Sequence, residues 1–272
     1  MTARAVATRR AVHQLFDRPI VLDDPIAIPI LGPTFFADPV RHGDPRSRAF
    51  RAFMVARSRY AEDNLASAVA AGAVQYVILG AGLDTFAYRN PLASLQVFEV
   101  DFPATQEWKR DMLRSAAIAE PANLTYVPLD IEHQTLAAGL ADGGVDAQRP
   151  TFFTWLGVVP YLTVPAFRAT LDLVANMPAG SGLTFDYALS DEDLSPARQR
   201  ARKALASRVA AAGETFRLFF RSEQLENELK SAGFQRIEQL DSIELNQRYF
   251  ANRDDGLALP AEGLGKLATG WV

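Results

Sequence analysis

Tyr76-Val77-Ile78-Leu79-Gly80-Ala81-Gly82-Leu83-Asp84-Thr85 decides the fold of this chain. A short apolar, β-rich run ends on two glycines one residue apart. Glycines placed there let the backbone turn sharply and let a ligand approach the main chain. Further β-rich runs follow at residues 96–100, 124–127, 151–156 and 182–187, with helix-length segments between them, among them 104–117 and 164–176. Strands that alternate with helices predict βαβ units and a parallel sheet. The runs are apolar on both faces, which suits strands covered on both sides. Residues 222–232 read as a helix, with Ser222 at its N-cap and Gly233 beyond its end. Residues 234–240 read as a sixth strand and 243–250 as a seventh, followed by an irregular tail. The expectation is an α/β, Rossmann-like fold with a mostly parallel seven-stranded sheet and helices on both faces.

Upstream of the glycine turn the pattern differs. Pro19, Pro25, Pro29, Pro33, Pro39 and Pro45 interrupt the chain, so any helix between them is short. Residues 46–71 contain no proline and predict one long helix ending at Gly72. Residues 1–72 thus read as an N-terminal helical cap, 73–190 as the ligand-binding core, 191–221 as a helical lid insertion and 222–272 as the rest of the core. The insertion opens on Ser195-Pro196, a helix start, and carries Arg198, Arg200, Arg202, Lys203 and Arg208. Two readings of that cluster stay open: a solvated helix face, or an anion-attracting lid over an acidic substrate.

Composition narrows the function. The 272 residues include no cysteine, which excludes a disulfide framework, a cysteine zinc site, an iron–sulfur cluster and a cysteine nucleophile. The three histidines, His13, His42 and His133, are far apart and form no metal-binding pair, which disfavours a histidine-rich metal site but leaves an all-carboxylate magnesium site open; no metal is the expectation. A net charge of −4 gives no sign of a nucleic-acid or membrane surface. No apolar run reaches the ~18–20 residues of a membrane helix. The N-terminal MTARAVATRR lacks the apolar core of a secretory signal. Its arginine content resembles a transit peptide, but a surface helix is the plainer reading. A cytoplasmic protein, a monomer or weak homodimer, is the expectation.

The glycine turn is not the dinucleotide fingerprint, because Leu83-Asp84-Thr85 stands where the third glycine belongs. This disfavours a nicotinamide oxidoreductase and favours a nucleoside ligand without phosphates. Glu99 and Asp101 lie 19 and 21 residues after Gly80, the ~20-residue spacing of a ribose-binding acid. Alternation along the strand turns both to one side. Asp130, after the third strand, is placed to take an adenine amino group.

Residues 56–63 (ARSRYAED), 76–89 (YVILGAGLDTFAYR) and 98–103 (FEVDFP) together resemble one family, as does the tail at 244–250 (ELNQRYF). This is the leucine carboxyl methyltransferase-like branch of the class I S-adenosylmethionine (SAM)-dependent methyltransferases, bacterial O-methyltransferase-like members above all. The resemblance implies SAM as cofactor and S-adenosylhomocysteine (SAH) as product. It implies that Gly80, with Ala81 and Gly82, packs beside the methionine part of SAM. By the same resemblance Asp101, in preference to Glu99, binds the ribose, Asp130 and Ile131 flank the adenine, and Arg59 pairs with the SAM carboxylate. Arg10 matches a second basic residue in that role, and Tyr161 a tyrosine bordering the substrate. One departure stands out: Leu156 occupies the place of a cofactor-contacting glutamate in the eukaryotic carboxyl methyltransferases.

No residue declares itself as a general base; Tyr161, His13 and Tyr187 are the catalytic candidates. Arg57 and Arg59, two apart on a helix, do not share a face, and Arg59 is expected to point inward while Arg57 pairs at the surface. The expected activity is methyl transfer to a carboxylate or hydroxyl of a small acidic or phenolic acceptor. A SAM-binding partner or sensor without catalysis is the alternative from a different class.

Overall fold

The computed structural model describes residues 2–33, 35, 47–130, 134–211 and 213–272. Helix α1 (Thr2–Phe16), a 3-10 turn (Pro29–Leu31) and helix α2 (Arg48–Ala70) precede the sheet. The core then runs β1 (Gln75–Leu79), α3 (Phe86–Arg89), β2 (Gln96–Asp101), α4 (Pro103–Ser115), β3 (Leu124–Pro128), α5 (Leu136–Asp142), β4 (Thr151–Trp155), α6 (Val164–Ala175) and β5 (Gly182–Ala188). Helix α7 (Pro196–Ala211) interrupts this rhythm, and α8 (Ser222–Ala232), β6 (Arg236–Leu240), α9 (Ser242–Tyr249) and β7 (Gly265–Trp271) complete it.

The strand order is β3-β2-β1-β4-β5-β7-β6. β7 is antiparallel to both its neighbours, and the other pairings are parallel. Strand order reverses between β1 and β4. In open α/β sheets a ligand binds at that switch point, outside the carboxyl ends of the strands. Alternation along β1 explains the double-sided packing. Val77 and Leu79 enter the cluster of Phe153, Trp155 and Phe185, while Tyr76 and Ile78 enter the cluster of Phe86, Val97 and Phe152 on the other face.

One predicted strand is corrected. Residues 243–250 are helical, not a strand, because Asp241 caps the segment: its carboxylate accepts from the N–H groups of Ile243 and Glu244, and Glu244 reaches back to the Asp241 N–H. That reciprocal pair satisfies the first orphan donors of a helix. The seventh strand is β7, inside the supposed irregular tail. Its glycines hid it, since glycine is depleted in strands, yet they are required there. A Cβ on Gly265 would lie 2.4 Å from the Tyr187 carbonyl oxygen, and one on Gly270 2.7 Å from the Phe234 ring.

The N-terminal segment folds over the switch point. Ala7, Ala11 and Val12 of α1 pack with Ile30, Leu31, Leu83 and Leu113, so α1 rests on the glycine turn and on α4. Helix α2 packs Val55, Ala56 and Tyr60 against Leu240, Leu245 and Leu267. Helix α7 has no buried residue and lies over the far side of the same opening. No helix among the described residues is long and apolar enough to cross a membrane.

Candidate active site

The carboxyl ends of β1, β2, β4 and β5 open into a cavity of about 2240 Å³, roofed by α1 on one side and α7 on the other. A single small-molecule pocket spans about 300–1,000 Å³, so this cavity has room for two ligands side by side.

Its floor is the β1 turn. Gly80 and Gly82 have φ of +68° and +50°, backbone that side chains with a Cβ resist. The turn is also crowded: a Cβ on Gly80 would stand 2.5 Å from Val158 Cγ2. The Gly80 and Ala81 N–H groups bond the Val100 carbonyl, which fastens the turn to β2. Asp101 ends β2 on the cavity wall. One of its carboxylate oxygens accepts from the Gly82 N–H at 2.6 Å and the other from the Phe102 N–H at 2.7 Å. The predicted trio Gly80, Ala81 and Gly82 and the predicted acid Asp101 are therefore brought together. Asp84 lines the same wall. Burial pushes its carboxyl up, but Arg10, Lys109 and Arg89 outweigh burial and hold it below the usual range.

Glu99 takes no part in the wall. It is fully buried, and Lys109 of α4 donates to it at 2.5 Å. Burial raises its carboxyl to about 7 against the pull of Lys109. Although Glu99 and Asp101 share a strand face, only Asp101 sits at the last position of the strand, where the cavity begins. Asp130 is not among the cavity-lining residues; its neighbours Leu129 and Gln134 are. Ile131, like His42 and His133, lies outside the described residues.

Arg10 is buried beside the turn. It donates to the Leu83 carbonyl and pairs with Asp24 at 3.3 Å and Asp84 at 3.6 Å. Asp24, fully buried, also accepts from Thr85 at 2.8 Å. These contacts tie the cap to the glycine turn.

The expectation for the two arginines of α2 is reversed. Arg59 lies outside the cavity, with its side chain 48% exposed and paired to Asp63 at 2.8 Å along the helix surface. Arg57 faces inward with its side chain 8% exposed, donates to Asp186 at 3.0 Å, and lines the cavity. The other Asp186 oxygen accepts from the Gly157 N–H. A Cβ on Gly157 would come within 3.1 Å of the Arg57 guanidinium, so the glycine makes room for it. The Arg57 Nε is buried without a hydrogen-bond partner, which leaves donor capacity beside the cleft. The sequence did carry a signal: Asp186 is a lone charge inside an otherwise apolar strand.

Two of the three catalytic candidates are spoken for. His13 is fully buried and absent from the cavity lining. Its Nε2 accepts from the Val21 N–H at 2.9 Å, so Nδ1 carries the proton donated to Asp17. Asp17 in turn receives two bonds from Arg51. The Tyr187 ring touches the wall, but its hydroxyl turns away to Gln239 at 2.5 Å and Ser222 at 3.3 Å. Tyr161 remains. It lines the cavity next to Leu156, packs its ring 5.2 Å from Phe216, and hydrogen-bonds Glu214. Burial and that carboxylate push its phenol well above the usual value.

A Rossmann-like sheet with β7 inserted antiparallel, a glycine turn after β1 and an acid ending β2 define the class I methyltransferase architecture. The chain belongs to the leucine carboxyl methyltransferase family, whose model matches residues 3–175. A Bacillus subtilis protein named "Putative S-adenosyl-L-methionine-dependent methyltransferase YktD" is 33% identical, over 95% of this chain and 93% of its own length. A similarly named protein of Mycobacterium avium is 35% identical over 75% of this chain and 68% of its own. The crystal structure of "a putative methyltransferase" from Thermobifida fusca superposes with a TM-score of 0.60 at 17% identity, covering 98% of this chain and 93% of that one. A DUF574 family protein from Streptomyces avermitilis gives 0.55 at 18%, covering 98% and 96%. At those identities the two structures bear on the fold alone.

Proposed function

We propose that the protein is a SAM-dependent O-methyltransferase that acts on a small-molecule acceptor in the cytoplasm. The observation that carries the reading is the joined set of Gly80, Gly82, Asp101 and Arg57 around one cavity with room for cofactor and acceptor. The family membership supports it.

The residues present fit SAM. Asp101 stands where a carboxylate accepts hydrogen bonds from both ribose hydroxyls. Gly80 and Gly82 keep the main chain bare beside the methionine part. Arg57, with its spare Nε and a position fixed by Asp186, is the cation for the SAM carboxylate; this reading replaces Arg59, while Arg10 supports the turn from above. The family resemblance further assigns Asp130 and Ile131 to the adenine side, near the lining residues Leu129 and Gln134. Leu156 makes that part of the wall apolar.

When bound, SAM supplies an electrophilic methyl group that passes from its sulfonium to the acceptor oxygen in an in-line displacement. The protein's share is chiefly proximity and alignment, a contribution of up to about 7–11 kcal/mol in well-oriented systems. An ionised carboxylate needs no base; a phenol, with a pKa near 10, benefits from one. Glu214, held against Tyr161 on the acceptor side, is the carboxylate placed to take that proton.

The test is SAH release from SAM over a panel of aromatic acids and phenols, with the product's methyl position read by NMR. A new O-methyl signal supports the proposal. SAM binding without transfer to any member of the panel would favour a non-catalytic binding protein.

A further inference from the structure

Helix α7 mixes alanines with arginines and buries no residue, yet its two faces differ. The residues that line the cavity are Arg198, Ala201, Arg202, Leu205, Arg208 and Val209. Their spacing of three and four selects one helical face. Arg200 and Lys203 fall on the other. The face over the cavity is therefore half arginine.

The three arginines are not equivalent. Arg202 is committed: it donates to the Leu189 carbonyl at 2.8 Å, pairs with Asp191 at 2.5 Å, and lies 4.5 Å from the centre of the Phe219 ring. It holds the helix in place. Arg198 and Arg208 have no ion-pair partner among the described residues, and the Arg198 Nε is buried without a hydrogen bond. The buried, unmatched Arg198 Nε calls for an acceptor from the ligand, since buried donors are costly to leave unpaired, and the exposed Arg208 adds a second guanidinium on the same helical face. The acidic groups of this half of the lining include Glu214, which is engaged with Tyr161, Asp186, which is paired with Arg57, and Asp172 on α6. Beside the arginines the lining is aromatic, built from Tyr161, Phe216 and Phe219, with Phe216 5.2 Å from Tyr161 and 6.4 Å from Phe219, whose ring Arg202 already covers.

We infer that the methyl acceptor is an organic anion with an aromatic body: the rings of Tyr161, Phe216 and Phe219 receive the flat apolar part, and Arg198 and Arg208 hold the acidic group. This names the substrate class of the site above, and rests on that site being a methyltransferase's only for calling the ligand an acceptor. Guanidinium groups recognise carboxylate, sulfonate and phosphate oxygens through paired N–H donors. Aromatic walls contribute area and stacking geometry to a planar partner.

A matched pair of fluorescent probes tests this without knowledge of the natural acceptor. 1-Anilinonaphthalene-8-sulfonate is an aromatic anion; N-phenyl-1-naphthylamine is the same body without the charge. Both are titrated into the full chain, into Arg198→Gln/Arg208→Gln, and into Arg200→Gln/Lys203→Gln, which removes two charges from the outer face of the same helix. The expected result is saturable 1:1 binding of the anion that weakens about tenfold or more in the inner-face variant, the loss of one charge-assisted hydrogen bond. The neutral probe is expected to bind both variants as it binds the wild type. The proposal is overturned if the anion is not bound, if the inner and outer variants weaken it equally, or if the neutral probe loses as much as the anion. Circular dichroism on each variant separates loss of α7 from loss of the site. SAH titration of the same samples reports on the methyltransferase reading independently: SAH bound with no probe discrimination sinks the acceptor class alone.

Discussion

Replacing Arg57 with glutamine, set against the same change at Arg59, separates two arginines that the sequence places two residues apart. Arg57 and Asp186 form an ion pair at 3.0 Å with side chains 8% and 10% exposed. Removing one partner of a buried pair costs about 3–5 kcal/mol, because the other charge stays buried without its match. The second Asp186 oxygen still accepts from Gly157, so the carboxylate cannot swing out to solvent without breaking that bond as well. At about 2 °C per kcal/mol for a chain of this size, Arg57→Gln is expected to lower Tm by about 6–10 °C. The Arg59–Asp63 pair is an exposed contact within one helix, 48% and 39% exposed. Such pairs contribute about 0.3–0.5 kcal/mol, so Arg59→Gln shifts Tm by about 1 °C. Differential scanning calorimetry reads both. Adding Asp186→Asn to Arg57→Gln removes the orphaned charge and recovers part of the loss. On the binding side, SAH affinity falls about tenfold or more in Arg57→Gln, the loss of one charge-assisted contact, and is unchanged in Arg59→Gln. An Arg59 variant that loses as much stability or affinity as the Arg57 variant would refute the assignment.

Three further outcomes are expected. Gly80→Ala forces a Cβ into left-handed backbone, at about 1–2 kcal/mol, and against Val158, at about 1–3 kcal/mol more; urea denaturation measures the sum, and Val158→Ala on top relieves the second part. Glu99, raised by burial to about 7 from its ordinary 4.5, binds its proton more tightly folded than unfolded, so its contribution is full below about pH 4.5 and is lost as pH rises to about 7; Glu99→Gln flattens that decline, as urea midpoints from pH 5 to 8 show, and an unchanged slope would contradict the burial argument. His13→Ala leaves the buried Val21 N–H without its partner, a loss of about 1–3 kcal/mol, while both Asp17 oxygens keep their bonds from Arg51; the variant melts earlier yet binds SAH as the wild type does, and a change in affinity would restore His13 to the site.

Much of this was legible in the sequence because it depends on local pattern. The glycine turn, the acid 21 residues beyond Gly80 and the strand–helix rhythm are all short-range signals. The motif favours Asp101 over Glu99; in the structure Asp101 lines the cavity, while Glu99 is buried against Lys109. What escaped depends on long-range contact. The inward turn of Arg57 is set by Asp186, 129 residues later. The strand at 265–271 reads as loop until one sees that Gly265 and Gly270 lie against Tyr187 and Phe234. The arginines of α7 divide into two faces only once the helix has a cavity beneath it. His13 is a catalytic candidate from its place in the cap helix, and its partners, Asp17 and the Val21 N–H, are contacts that no motif advertises.

The central claim is that the β1 turn and Asp101 form a SAM site. Isothermal titration of the full chain with SAM, SAH and NADH, in parallel with Asp101→Ala, tests it most directly. Saturable 1:1 binding of SAM and SAH, no binding of NADH, and a loss of about tenfold or more in the variant are expected. SAM that fails to bind the wild type, or binds Asp101→Ala with unchanged affinity, would contradict it.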